Sequence, residues 1–333
     1  MRSSLMNFEM VFDSDKGFRK EELKNIAFVS EHNVLVEIKY VGICGSDFFY
    51  MNKYRGENLR LGHEWVGVVK ESNSLNFSIG DMVTSTATWG CGKCAECLIE
   101  NENQCLDNIV LGSEKIGMLR TQCVIDEKNL ILLEGFTLKS AALLEVAAVG
   151  HKIACKAKIE GDDILILGAG PVGLLSAISL KEQGLDPLLI DVEPNRVERA
   201  KKLGIRAKIL GETLLLKTKY DVVVDCTGDS NEKIGGWKYL PYFVRPGSYC
   251  LIVGHYEKAC QFDSHLFGKF ALRVEWLKGI SGNEYKNSIT FWRGRLENYT
   301  NDLITGYFKL EDVSEAYKFA SNLKKSLKTL VEL

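Results

Sequence analysis

"ILILGAGPVGLL" (164–175) is the stretch that decides the fold. Four apolar residues lead into glycines at 168, 170 and 173, and the chain then continues as a helix-forming run. Gly168 permits a tight turn, Gly170 lets a pyrophosphate approach the backbone, and Gly173 lets helix and strand pack closely. The helix start also offers free N–H groups and the positive end of its dipole to phosphates. Glycines turn many strands into helices, so the pattern alone is weak. Its context strengthens it: the next apolar strand, "DPLLID", ends on Asp191, 18 residues after Gly173. That is close to the spacing of a carboxylate that accepts a hydrogen bond from an adenosine ribose. A Rossmann-shaped domain that binds another nucleotide, or none, is the alternative.

Working outward, "DDILILG", "DPLLID", "YDVVVDCTG", "GSYCLIVG" and "VEWLKGIS" read as strands, with "PVGLLSAISLKEQG" and "PNRVERAKKLG" as helices between them. Alternation of helices with continuously apolar strands predicts a parallel sheet covered on both faces. It spans about 149–284. Residues 1–148 read differently. "NVLVEIKYVGIC" (33–44) puts Val34, Val36, Ile38 and Tyr40 on one face, and "HEWVGVVKE" and "GDMVTST" are further short strands. "LKSAALLEVAAVGHKIACKA" (138–157) reads as one helix. The tail, 285–333, shows helical periodicity and is expected to return to the first domain. The predicted fold class is therefore α/β: a doubly wound parallel sheet beside a β-rich domain.

The composition excludes some functions. With 42 basic and 44 acidic residues the net charge is −2, and the lysines and arginines are scattered. Nucleic acid demands a basic footprint that this chain lacks. No apolar run reaches the ~18 residues of a membrane span. "MRSSLMNFEMVFD" carries no apolar signal segment, so a cytoplasmic chain with reduced thiols is the expectation. In that setting "CGKCAECLIENENQC" (91–105) reads as metal-ligating or redox-active, because Cys91, Cys94, Cys97 and Cys105 can converge on one Zn²⁺.

Taken together, "GICGSD" (42–47), "GHEWVGVV" (62–69), "GD" (80–81), the four-cysteine stretch, "GAGPVG" and "CTG" (226–228) occur in the order found in zinc-dependent medium-chain alcohol/polyol dehydrogenases. The chain resembles that family over its whole length, and within it the sorbitol and galactitol-phosphate dehydrogenase group. "FGKFALRVEWLKGISGN" (267–283) is similar to the latter. The resemblance implies a GroES-like catalytic domain with a structural zinc lobe and two Zn²⁺ per chain, and the carboxylate of Asp191 favours NAD over NADP. It implies that Cys91, Cys94, Cys97 and Cys105 hold a structural zinc. A catalytic zinc would take Cys44, His63 and a carboxylate, either Glu64 or Glu145.

Glu145 stands where two-cysteine alcohol dehydrogenases have a second cysteine and polyol dehydrogenases a glutamate. Such a donor set neutralises the ion and leaves a fourth position open. Ser46 and Glu64 are the catalytic candidates, Ser46 being placed to take a hydroxyl proton. The resemblance adds Val172, Thr227, Gly228, Val253 and Ile280 to Gly168, Gly170, Gly173, Asp191 and Arg196 as cofactor-binding positions. Arg196 could reach a 2′-phosphate or stack beside adenine. The sequence also departs from the family. Phe49 stands where many relatives have a proton-relaying histidine, Val146 replaces a proline, and "GMLRTQC" (117–123) is altered.

The expected activity is oxidation of a secondary alcohol of a polyol, sugar or sugar phosphate by a homo-oligomer, dimer or tetramer. A threonine, diol or aldose dehydrogenase is the alternative within the family. A zinc-stabilised nucleotide-binding relative without turnover is the alternative outside enzymes. Cys123, Cys155, Cys226, Cys250 and Cys260 are expected to pack, and His32, His151, His255 and His265 carry no assigned role.

Overall fold

The computed structural model describes residues 7–23, 30–113, 115–214, 218–228, 235–256, 261 and 263–333. Among them, six parallel strands form one sheet in the spatial order Ala207–Ile209, Leu188–Asp191, Ile164–Leu167, Tyr220–Asp225, Val244–Ile252 and Arg273–Trp276. The order reverses between Ile164–Leu167 and Tyr220–Asp225, the arrangement that opens a crevice at the carboxyl ends of doubly wound sheets. Ile164–Leu167 and Leu188–Asp191 are buried at every position, as strands covered on both faces must be. The strand Ala207–Ile209 is absent from the sequence reading. It is three residues long with a lysine at its centre, too short and too polar to show as an apolar run.

The helix expected over 138–157 is two helices, Leu138–Ala141 and Leu144–Glu160. Thr137 caps the first by accepting the Ser140 N–H, a stop-and-restart that apolar composition does not reveal. The restart matters because it sets Glu145 in the first turn of the longer helix.

The chain divides into two units, Met1–Glu145 with Gly279–Leu333, and Val146–Lys278. In the first, the strand Asn33–Ile43 is the organiser. It pairs with Glu64–Ser72 along most of its length. On its other edge it pairs with Gln122–Asp126 near its start and with Lys328–Glu332 at its end. Val34, Val36 and Ile38 are buried as the alternation predicts. Tyr40 is only half-buried, because the register slips between Ile38 and Tyr40 and the face changes there. The tail is not purely helical: Ile304–Lys309 and Lys328–Glu332 add a parallel pair to this sheet.

Cys123 and Cys250 are buried and Cys155 and Cys226 half-buried, whereas Cys260 lies outside the described residues. In the second unit, His151 shares its Nδ1 with Ser179 Oγ at 2.9 Å. Burial pulls its pKa from 6.5 to about 4. The imidazole is therefore neutral when folded and takes a proton more readily when unfolded. Its contribution is present above pH 6.5 and is lost as pH falls towards about 4. Thermal unfolding followed across that window should fall more steeply for the unmodified chain than for His151→Gln. Parallel curves would remove His151 from the acid sensitivity.

Candidate metal centre and nucleotide site

The metal centre grows from the pairing of Gly42 with Glu64 on adjacent strands. A Cβ on Gly42 would lie 2.5 Å from Glu64 Oε2, so only glycine leaves room for that carboxylate. Cys44 follows the end of one strand and opens the helix Gly45–Lys53, and His63 immediately precedes the start of the other. Their ligand atoms and that of Glu64 all lie within 4.8 Å of one another. Gly112, at φ +79°, passes against the imidazole, where a Cβ would be 2.9 Å from His63 Nδ1. His63 and Glu64 are buried while Cys44 and Ser46 are half-buried, so the cluster has one accessible side.

Around this trio the charges are unequal. Lys328 is buried and donates to Glu64 Oε1 at 2.6 Å and to Ile43 O at 3.0 Å. Asp47 Oδ1 lies 3.4 Å from His63 Nδ1, and Ser46 Oγ lies 3.4 Å from His63 Nε2. Burial pushes the Glu145 carboxyl up to about 7; Glu64 and Asp47 add to the rise, and His63 and Lys328 oppose it. Burial works against a charge on His63, but the Cys44 sulfur and the Asp47 carboxylate outweigh it and hold the imidazole well above its ordinary pKa. One thiol and three carboxyl groups thus gather at the imidazole, and Lys328 is the buried cation paired with one of them. Asp47 Oδ1 and His63 Nδ1 are buried without an aligned hydrogen-bond partner. Buried groups left so are costly unless something else engages them. A divalent cation fits this excess of negative charge, and sulfur, nitrogen and oxygen donors together suit Zn²⁺.

The second cluster is the cysteine lobe. Cys91, Cys94, Cys97 and Cys105 bring their sulfurs within 4.8 Å of one another, with Cys91 and Cys97 at 4.0 Å. Backbone N–H groups of Lys93 and Cys94 pull the Cys91 thiol down to about 6. Burial, with the neighbouring thiols adding to it, pushes Cys97 up to about 12. Four sulfurs held this close suit a tetrahedral cation between them. The lobe is tied to the helix Gly282–Trp292, whose first N–H donates to Glu102 at 3.0 Å.

In the second unit, Gly168 has φ +98° and Gly173 packs against Gly168 O with no space for a Cβ. Asp191 holds this loop: its two oxygens accept Ala169 N–H at 2.7 Å and Glu193 N–H at 2.8 Å. Arg196 Nη1 stands 3.9 Å from the same carboxylate. Gly170 and Val172 belong to this loop and the helix after it. Thr227 and Gly228 follow Tyr220–Asp225, and Val253 follows Val244–Ile252, all at carboxyl ends of strands. Thr227 donates from N and Oγ1 to buried Asp225, which also takes the Tyr256 hydroxyl. Ile280 is buried in the first unit.

The family profile described as "Alcohol dehydrogenase GroES-like domain" matches residues 30–135, the region holding Cys44, His63, Glu64 and the cysteine lobe. A profile for ketopantoate reductase PanE/ApbA matches residues 164–231, a span that begins at the strand before the glycine turn. The chain is 28% identical over 282 residues to a sorbitol dehydrogenase of Halalkalibacterium halodurans, covering 75% of this chain and 80% of the relative. It is 26% identical to a probable D-xylulose reductase A of Arthroderma otae over 98% of this chain and 97% of the other. These likenesses support a zinc-dependent medium-chain alcohol/polyol dehydrogenase. Its fold is shared with galactitol-1-phosphate dehydrogenase of Escherichia coli, at TM-score 0.84 and 21% identity over 97% of this chain and 99% of that one.

The sequence reading passed over three side chains that the fold brings to the metal centre: Asp47, Tyr317 and Lys328. Asp47 stood in a quoted motif without a role. Lys328 had a legible signal. "KTLVE" buries its first four residues, lysine included, and a lysine in such a strand requires a buried carboxylate. Among the described residues no helix is long and apolar enough to cross a membrane.

Proposed function

We propose that this dehydrogenase transfers hydride between NAD and a secondary hydroxyl of a polyol, sugar or sugar phosphate. The observation that carries the reading is the Cys44–His63–Glu64 cluster, open on the Cys44 side, with Glu145 close enough to feel its charges. A carboxylate in that second position, instead of a thiolate, favours polyols over simple alcohols. The sugar-alcohol names of the relatives support the same class. Cys44, His63 and one of Glu64 and Glu145 would hold a Zn²⁺, and Cys91, Cys94, Cys97 and Cys105 a second one. A bound zinc supplies the Lewis acidity that acidifies a hydroxyl, and the nicotinamide accepts the hydride.

The chain's own residues do the rest. Ser46, half-buried and 3.4 Å from His63 Nε2, takes the hydroxyl proton on the accessible side of the cluster. Phe49 cannot pass that proton on, so water, the cofactor ribose or another group takes it. Lys328 holds Glu64 in place through its 2.6 Å hydrogen bond.

Cofactor choice rests on Asp191. Its carboxylate is fixed by two backbone donors at the end of the second strand, where an adenosine ribose would lie. Against a 2′-phosphate it sets like charges in contact. NAD should be preferred over NADP by about 100-fold in kcat/KM, roughly 2.7 kcal/mol. Asp191→Ser should shrink that ratio. The ratio is the proper readout, because the substitution also releases the Ala169 N–H and weakens both cofactors. Equal efficiency in the unmodified chain would give the choice to Arg196. The activity itself is tested by offering a panel of polyols and polyol phosphates with NAD and following NADH absorbance. A zinc-loaded, NAD-binding chain that turns over none of them would be the non-catalytic relative.

A further inference from the structure

We propose that Tyr317 is a positioning residue for the metal centre, acting through Asp47 on His63; the inference rests on the zinc reading above. Tyr317 sits on the helix Val313–Ala320 and is 3% exposed. Its ring packs on Phe18 and Phe48, with centroids 4.8 and 5.7 Å away. A phenylalanine would satisfy that packing, and the apolar stripe Val313, Ala316, Tyr317 asks for nothing polar. A buried hydroxyl costs desolvation unless it is used. Here it is used once: it donates to Asp47 Oδ2 at 3.0 Å.

Asp47 Oδ2 also accepts the Cys44 N–H at 3.1 Å. Two donors from different directions on one oxygen fix the plane of the carboxylate. The other oxygen, Oδ1, is thereby turned to His63 Nδ1 at 3.4 Å. A carboxylate at Nδ1 holds the proton there and leaves Nε2 as the ligand atom. Without the hydroxyl, Asp47 keeps one donor and can rotate about its last bond. Aromatic packing on two sides makes Tyr317 a rigid post for that donor. The C-terminal segment therefore serves two of the buried carboxylates at the cluster, Tyr317 holding Asp47 and Lys328 holding Glu64.

The test is zinc release from the full, zinc-loaded chain into a chromophoric chelator, which resolves the catalytic site from the cysteine lobe as two phases. Tyr317→Phe should accelerate the catalytic-site phase about tenfold, the low end of what outer partners of a metal ligand contribute. The lobe phase should not change. In an Asp47→Asn background the same substitution should have no further effect, since the hydroxyl acts only through that carboxylate. Phe18→Leu, which loosens the ring packing but keeps the hydroxyl, should leave the catalytic-site phase within about twofold. An unchanged catalytic-site phase in Tyr317→Phe overturns the inference. So does equal acceleration of both phases, equal acceleration by Phe18→Leu, or an undiminished effect beside Asp47→Asn. A wild-type chain that binds zinc in the lobe alone contradicts the proposed function itself, and the inference with it.

Discussion

Cys44→Ser should reduce turnover by at least about 10³-fold, because the metal's charge stabilisation is worth several kcal/mol and each 1.36 kcal/mol is tenfold in rate. The substitution replaces a thiolate by a neutral hydroxyl in a cluster whose remaining donors are His63 and the two glutamates. The strand Asn33–Ile43 and the pairing of Gly42 with Glu64 do not depend on that sulfur, so the fold should persist. Zinc content should fall from two ions per chain to one, the survivor being that of the lobe. Cys97→Ser makes the contrast. Its sulfur shares the cage with Cys91 at 4.0 Å, and a structural zinc contributes directly to folding. Loss of stability should therefore precede loss of turnover there. Normal rates in Cys44→Ser would show that the metal centre is not where the chemistry happens.

Lys328→Met should destabilise the metal-free protein by about 3–5 kcal/mol, the cost of leaving a buried charge without its partner. Lys328 is 3% exposed and Glu64 0% exposed, so neither charge is relieved by water. Methionine keeps the volume, so the loss reports the pairing rather than a cavity. Zinc loading should then recover more stability in Lys328→Met than in the unmodified chain, because the cation neutralises Glu64 in the lysine's stead. Equal zinc stabilisation in both proteins, measured as the shift in melting temperature, would place Glu64 outside the metal's reach and leave Glu145 as the carboxylate ligand.

Much of this is legible in the amino-acid order alone. The glycine turn can be read because its meaning is local: strand, turn, helix and the acid at the next strand's end lie within thirty residues. The cysteine lobe is legible for the same reason. Cys44 and His63 are legible only through the family likeness of their motifs, since either alone reads as an ordinary buried side chain. The supporting shell is not. Lys328 meets Glu64 across 264 positions and Tyr317 meets Asp47 across 270. No local pattern encodes such a partner, and a tyrosine on an apolar helix face looks like core. The irregular strand Asn33–Ile43 and the split helix at 138–160 mislead because a register slip and a cap interrupt periodicities that composition alone suggests continue.

The most direct measurement is zinc content beside turnover in the same preparation. Two zinc ions per chain are predicted, with NADH formation from a polyol or polyol phosphate that disappears when the more labile ion is removed and returns when zinc is restored. Full turnover by a chain that holds one zinc, in the cysteine lobe only, would contradict the account.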